Sequence, residues 1–192
     1  MEKKIITKPV LPLRGVIILP GMIANIDVGR SKSIAAVNIV MNEDKKILLV
    51  GQIQSDKEDV GITDLYSFGV LAEIKQQLQL PSGAIRLLVE GLQRIELTDI
   101  TEVHQADSDF FVGQCHILTD TVENTTEIEA LRRLLLDAFA NWAAITKKVN
   151  PDTVQAFKSQ EDISKVADVI TGYLPISLEE KEKILEAVEL ST

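Results

Sequence analysis

One cysteine, Cys115, is all the thiol this 192-residue sequence contains. An internal disulfide is therefore excluded, and a reducing compartment, the cytoplasm, is expected. No apolar run approaches the ~20 residues that a membrane-spanning helix requires, so no membrane partner is predicted. The opening MEKKIITKPVLPLRG has lysines but neither the apolar core nor the small-residue cleavage site of a secretory leader. Phosphate-loop spacing, G-x-x-x-x-G-K-[ST], is missing, as is the nucleophile turn G-x-S-x-G. Histidine is scarce too. His104 and His116 have no partner pattern, and His116 and Cys115, as strand neighbours, point to opposite faces. No catalytic centre, metal site or cofactor site follows from these residues. The carboxylates of Asp56, Glu58 and Asp59 lie in a polar run without calcium-loop spacing and read as a solvated loop.

Positive charge is also in short supply. Twenty Lys and Arg against 29 Asp and Glu leave a net charge of −9, and the pI is about 4.8. Such a chain repels phosphate backbones and anionic membrane surfaces, which speaks against a nucleic-acid partner. Hydrophobic content of 45% and charged content of 26% are those of a globular chain with a core. At roughly 100–200 residues per domain, the length allows one domain or two small ones.

What is present is organised around Phe68–Leu97. Phe68, Val70, Ala72, Ile74, Leu78 and Leu80 alternate with polar residues, and Ile85, Leu87, Val89, Ile95 and Leu97 share one parity of the next run. Period-two alternation predicts two strands with one buried and one wet face. Pro81-Ser82-Gly83 turns the chain between them. Gly91 predicts a bulge or a bend, and Arg86 and Arg94, on the polar parity, read as solvated or cross-strand ion pairs. Around this hairpin, Val10–Arg14 reads as an edge strand because of Pro12, after a fraying lead over residues 1–9. Met22–Val28 is extended, a helix runs from a Ser31 cap to about Asn42, and KILLVG at Lys46–Gly51 is a strand buried on both faces. Thr98–Val103 and Asp109–Leu118 are further strands.

A polar stretch at Asp120–Thr125 separates this β half, residues 1–119, from a helical half, residues 120–192. Thr126–Glu129 reads as a capping box. Ile128, Leu131, Leu135, Ala138, Trp142, Ile145 and Val149 then follow at alternating spacings of three and four, a heptad seam. The helix implied is about 24 residues, or roughly 36 Å, long. The seam packs either within a helical bundle or on a neighbouring subunit. Asn150-Pro151 starts another helix, Ile163–Leu174 forms a third, and a capping box at Ser177–Glu180 opens a last one with Leu178, Ile184, Leu185 and Val188 on its apolar face. The class expected is α+β.

The one unusual surface feature is apolar material at turns: Ile18, Leu19, Pro20 and Met22 in one, Leu80 and Pro81 in the other. Either these residues form an exposed patch that binds protein, or they plug the ends of the β structure.

Several stretches resemble the N-terminal region of the ATP-dependent Lon protease: LPLRG at Leu11–Gly15, LPGM at Leu19–Met22, DVGRSKS at Asp27–Ser33, LPSGAIRLLVEGLQRIEL at Leu80–Leu97, and VADVITGYLPISLEEKEKILEA at Val166–Ala187. The resemblance implies a PUA-like pseudo-barrel followed by a helical bundle. It also implies capture of unfolded, damaged or degron-bearing proteins and support of a hexamer. ATP, magnesium and the Ser–Lys dyad belong to downstream parts of that family's proteins, and this sequence contains neither the phosphate loop nor the dyad. The alternative is a stand-alone structural or protein-interaction module.

Overall fold

A computed structural model describes residues 4–105, 108–119, 125–160 and 162–187. Among these the chain forms β1 (Ile5–Leu13), β2 (Ile23–Val28), α1 (Ser31–Met41), β3 (Lys46–Gln52), β4 (Leu65–Gln79), β5 (Ile85–Gln105), β6 (Ser108–Ile117), α2 (Thr126–Thr146), α3 (Pro151–Ser159), α4 (Ile163–Tyr173) and α5 (Leu178–Glu186). The class is α+β. Residues 120–124, most of the sequence-derived boundary, lie outside the described residues, as does Val188.

The long hairpin is the frame. β5, at 21 residues, serves three partners: β4 along much of its length, β2 over Ile85–Glu90 and β6 over Ile95–Gln105. The strand order is β2-β5-β4-β3-β1-β6, and the extra β5–β6 pairing closes five strands into a ring with β2 attached at one side. All pairings are antiparallel except β1 with β3. Thr98–Val103 is thus part of β5 rather than a separate strand. The ladder to β6 crosses the join, and a bulge between Leu97 and Asp99 absorbs the odd residue. β1 also differs from expectation. It starts at Ile5 and lies between β3 and β6, and Pro12 is tolerated because the β6 pairing stops at Val10.

One core cluster joins α1, through Ala36, Val37 and Val40, to Leu11, Leu49, Ile74 and Leu87 inside the ring. Ser31 is the first residue of α1 rather than its cap. Arg30 occupies the cap position and no side chain bonds the first turn. A second cluster holds Val10, Leu48, Leu71, Ile95, Phe111 and Cys115. Burial pushes the Cys115 thiol up to about 11, so it stays protonated and unreactive at neutral pH.

In the helical half, α2 is capped by Thr125, whose hydroxyl oxygen accepts from the Ile128 N–H at 3.2 Å; the expected cap at Thr126 is one residue late. The helix ends at Thr146 because Lys147 turns left-handed, φ 55°, and donates its N–H to the Ala143 carbonyl. Its buried face is Leu135, Leu136, Phe139, Trp142 and Ala143. The expected heptad seam is therefore rotated: Leu131 is 44% exposed and Ile145 82%. Phe139 sets the rotation, because it stacks on Trp142 and packs on Phe157 of α3 and Tyr173 of α4, with centroids 5.7, 5.7 and 6.1 Å away. The Asn150 cap with Pro151 in the first turn, and the Ser177–Glu180 capping box, form as read from sequence.

The two halves meet over the outer side of β5. Arg94, on the nominally wet parity, is 6% exposed and Asp168 of α4 is 1% exposed. Their side chains form a two-pronged ion pair, one prong at 2.8 Å. Arg94 Nε also donates to the Leu185 carbonyl of α5 at 3.2 Å. The expectation of a solvated Arg94 fails because the helices cover that part of the sheet. Arg86, beyond their reach, is an exposed cross-strand partner of Asp27. Removing one partner of a buried pair strands the other charge. Asp168→Ala is expected to lower unfolding free energy by about 3–5 kcal/mol in urea titrations. The double change Arg94→Met with Asp168→Leu should recover much of that loss.

α5 lays Leu178, Glu182 and Leu185, spaced four and three apart, toward the sheet, where Leu178 and Leu185 meet Ile17, Tyr66, Phe68 and Val70. Glu182 is 2% exposed, and neither carboxyl oxygen has a hydrogen-bond partner among the described residues. Burial first, and the nearby Glu186 second, push its acid up to about 8. Between the ordinary carboxylic range and pH 8 the unfolded chain holds fewer protons on this group than the native chain. The stability the protonated form retains below that range is therefore lost as pH rises through the window. Glu182→Gln should raise the melting midpoint by several degrees at pH 8 and leave it nearly unchanged at pH 4. Equal shifts at both pH values would remove the titration from the explanation.

Candidate functional site

The residues read from sequence as a binding patch do not come together. Val16–Met22 links β1 to β2 across the end of the ring. Ile18 and Leu19 are buried at 2% and 0% exposure, and Pro20 is buried as well. The segment is held by β5: Gly21 N–H donates to the Gly91 carbonyl at 2.8 Å, and Gly91 N–H donates to the Met22 carbonyl at 2.9 Å. Gly91 sits at the expected bulge, where the register steps from Leu71 opposite Gln93 to Ala72 opposite Gly91. A side chain there would strike the Leu19 carbonyl, so the close approach requires glycine. The idea of an exposed patch at Ile18, Leu19 and Pro20 is thus corrected. Gly21 and Met22 tie the loop to β5, Met22 N–H donates to the Leu19 carbonyl at 3.1 Å, and the three side chains are turned inward.

Met22 is half-buried at the joint with the helices. Its thioether covers Gly172 of α4, where a Cβ would come within 2.8 Å of Met22 Cε. Leu80 and Pro81, at the tip of the β4–β5 hairpin, remain nearer the surface, half-buried and exposed respectively. The tip is closed by Leu80 N–H to the Ala84 carbonyl at 2.8 Å and by Gly83 at φ 86°. About seven residues of β5, roughly 23 Å at ~3.3 Å per residue, separate the two loops.

The apolar surface of this region lies elsewhere, on the outer face of β2, β5 and β4. Ile23 is 64% and Leu78 60% exposed, with half-buried Leu88 between them. Register places the three on one face: Ile23 opposite Glu90, Leu88 opposite Asn25 and Gln76, and Leu78 opposite Arg86. Alternation assigned Leu78 to the core. A bulge between Ile74 and Gln76 inverts the parity and sends Leu78 outward. The polar run Lys75-Gln76-Gln77 was the available signal. Ion pairs flank the strip. Arg86 grips both oxygens of Asp27 at 2.7 and 2.8 Å, and Lys75 meets Glu90 at 2.8 Å. The Arg86 guanidinium holds the Asp27 carboxyl below its usual range.

Among the described residues, Glu102, His104 and Asp109 come nearest to a metal set, with ligand atoms within 4.8 Å of one another. Glu102 of this set is engaged by Lys32. The Lys32 ammonium lies 5.2 Å from the centre of the Phe111 ring. His104 Nδ1 faces Asp109 at 3.0 Å.

Comparison with known proteins identifies the region. A family model described as the ATP-dependent protease La (LON) substrate-binding domain matches residues 7–192. The chain is 40% identical over 182 residues to the Lon protease of Brevibacillus choshinensis, covering 95% of this chain and 23% of that protein. It is 38% identical over 184 residues to that of Rhizobium meliloti, covering 96% and 22%, and 33% identical over 183 residues to that of Escherichia coli K12, covering 95% and 23%. The chain thus spans under a quarter of the length of these relatives. In fold it is similar to the N-terminal domain of Mycobacterium avium complex Lon protease, with a TM-score of 0.71 at 24% identity, covering 96% of this chain and 92% of that one.

The placement of Met22 makes it structural. Met22→Asp should lower stability by about 1–3 kcal/mol, whereas Leu78→Asp should change it by no more than about 0.5 kcal/mol. Paired denaturation curves check the contrast.

Proposed function

Since the chain belongs to the family of the Lon protease substrate-binding domain, we propose that it is the non-catalytic N-terminal region of an ATP-dependent serine protease of the cytoplasm. In that role it binds unfolded, damaged or degron-bearing proteins and supports assembly of the protease into a hexamer. ATP and magnesium act in other parts of such a protease. One observation on the molecule supports the binding role most directly: Ile23, Leu88 and Leu78 form an apolar strip on a sheet face, bordered by ion pairs. Unfolded chains expose aliphatic segments, and burying these on the strip gains roughly 25 cal/mol per Å². A strip of this size holds a segment weakly, so useful retention needs several copies of the domain acting together.

A second reading, a stand-alone structural or interaction module, is favoured by α2. Its outer side presents Leu131, Leu134 and Ile145 at 44%, 67% and 82% exposure, a stripe left uncovered by the described residues.

The test is binding of a fluorescent protein, in a chemically trapped unfolded form and in its native form, to the 192-residue chain. The expected result is micromolar or weaker affinity for the unfolded form alone, reduced severalfold by Ile23→Asp with Leu78→Asp. Equal binding of both forms would overturn the reading. No binding of either, with a mass that rises with concentration, would favour the structural module.

A further inference from the structure

Two sequence stretches, Leu11–Gly15 and Asp27–Ser33, are not explained by the apolar strip, and the fold brings them together. A cleft of about 520 Å³ lies between the end of β1, at Leu11–Arg14, and β2, at Asn25–Val28, with Gly29 and Arg30 beside it. That volume lies within the range of small-ligand sites.

Two features of its walls are unusual. The first is an open backbone. β2 is the end strand of the sheet and pairs only with β5, and no loop hydrogen bond involves the Ile23–Val28 backbone among the described residues. Across the cleft, the β6 pairing of β1 has already stopped at Val10. β1 and β2 are therefore not paired with each other across the cleft, and β2 offers an unpaired edge of the kind that extended chains join.

The second feature is charge. In a chain of net charge −9, Arg14 and Arg30 stand close together on this cleft. Their hydrogen-bond partners are neutral: Arg14 donates to the Ser55 carbonyl at 2.6 Å, and Arg30 donates to Gln52 Oε1 at 3.0 Å and to the Lys57 carbonyl at 3.3 Å. Neither makes an ion pair among the described residues. Burial first, and then repulsion from Arg14, hold the Arg30 guanidinium below its usual range, with only Glu58 opposing. Asp27, the acid on the cleft wall, is already taken by Arg86 on the outer face. The carbonyl bonds tie down the loop after β3, and they leave two neighbouring cations with no direct ion-pair partner among the described residues, Glu58 acting on Arg30 only through its field.

We propose that this cleft is a strand-addition site for an extended peptide segment bearing a carboxylate, whose backbone pairs with the free edge of β2 while the carboxylate rests on Arg14 and Arg30. The proposal rests on the substrate-binding reading and deepens it, naming as occupant an unfolded segment with a C-terminal carboxylate or an acidic side chain. A segment in this position would also direct alternate side chains toward the face that carries Ile23, so one chain could use both the edge and the strip.

The experiment measures fluorescence anisotropy of short labelled peptides of alternating threonine and valine against the 192-residue chain. The forms are a free C-terminal acid, the C-terminal amide, an amide with one internal aspartate, and the free acid with N-methyl groups on alternate residues in each of the two parities. The free acid should bind about tenfold more tightly than the plain amide, a difference of about 1.4 kcal/mol. N-methylation in one parity should weaken it about tenfold or more, and in the other parity much less. Binding restored by the internal aspartate assigns any carboxylate; failure to restore it assigns the chain terminus, and both support the site. Arg14→Gln with Arg30→Gln should abolish the difference between acid and amide, and Arg14→Lys with Arg30→Lys should keep most of it. Equal binding of acid and amide, or indifference to N-methylation in both parities, overturns the proposal using wild-type protein alone, whether or not the glutamine variant folds. Should the chain bind unfolded protein yet make neither distinction among peptides, the substrate-binding reading stands and this site falls. Should it make both distinctions yet ignore unfolded protein, the site stands and the general reading falls.

Discussion

The contact between Arg94 and Asp168 holds the two halves of the molecule in one arrangement. Both charges are withdrawn from water, so the pair is no surplus stabilisation; its value lies in what its loss would leave behind. A guanidinium in the sheet face cannot remain there unless α4 delivers its carboxylate, and the Leu185 carbonyl of α5 completes the site. An apolar interface between the same elements could slide, whereas this one fixes α4 and α5 on β5 in a single register. Met22 over Gly172 and the Leu178–Leu185 face over Ile17 and Val70 then pack around a position already set.

Much of the fold was readable because its elements announce themselves locally. The long hairpin follows from alternation and Pro-Ser-Gly, α3 from Asn-Pro, and α5 from a serine followed three residues later by glutamate. What escaped the sequence were facts about which face meets which neighbour. Arg94 reads as wet because alternation marks it polar, and only the docking of distant helices buries it. Leu78 reads as core until a bulge inverts parity at Gln76. The α2 seam reads as a heptad because heptad spacing is a one-dimensional test, yet the aromatic contacts of Phe139 decide the rotation. Buried Glu182, central in an apolar stripe, gives no sequence signal at all.

The same distinction governs the proposed functional surface. Apolar loop residues looked like a patch, and the Gly91 bulge explains why most of them are not: β5 takes up the loop backbone at Gly21 and Met22, and Ile18, Leu19 and Pro20 turn inward. Surface available for protein contact is instead shared between a sheet face, through Ile23, Leu88 and Leu78, and the exposed side of α2. β2 borders both the apolar strip and the cleft with its two arginines, which makes this short strand the point where backbone, apolar and charge complementarity converge. Legibility of the proposed binding region was accordingly low, since it depends on parity changes and on β2 having no second strand partner among the described residues.

Residue-resolved native-state hydrogen exchange tests most directly whether the ion pair unites the halves. If it does, protected amides of β5 around Arg94 and of α4 around Asp168 should open in one cooperative unit, with the same free energy and the same denaturant dependence. Amides of the more peripheral α3 should exchange by smaller openings. Should α4 exchange through its own low-energy opening while β5 stays protected to the global limit, the helical half would be a loosely attached unit, and the clamp would not be what fixes the structure.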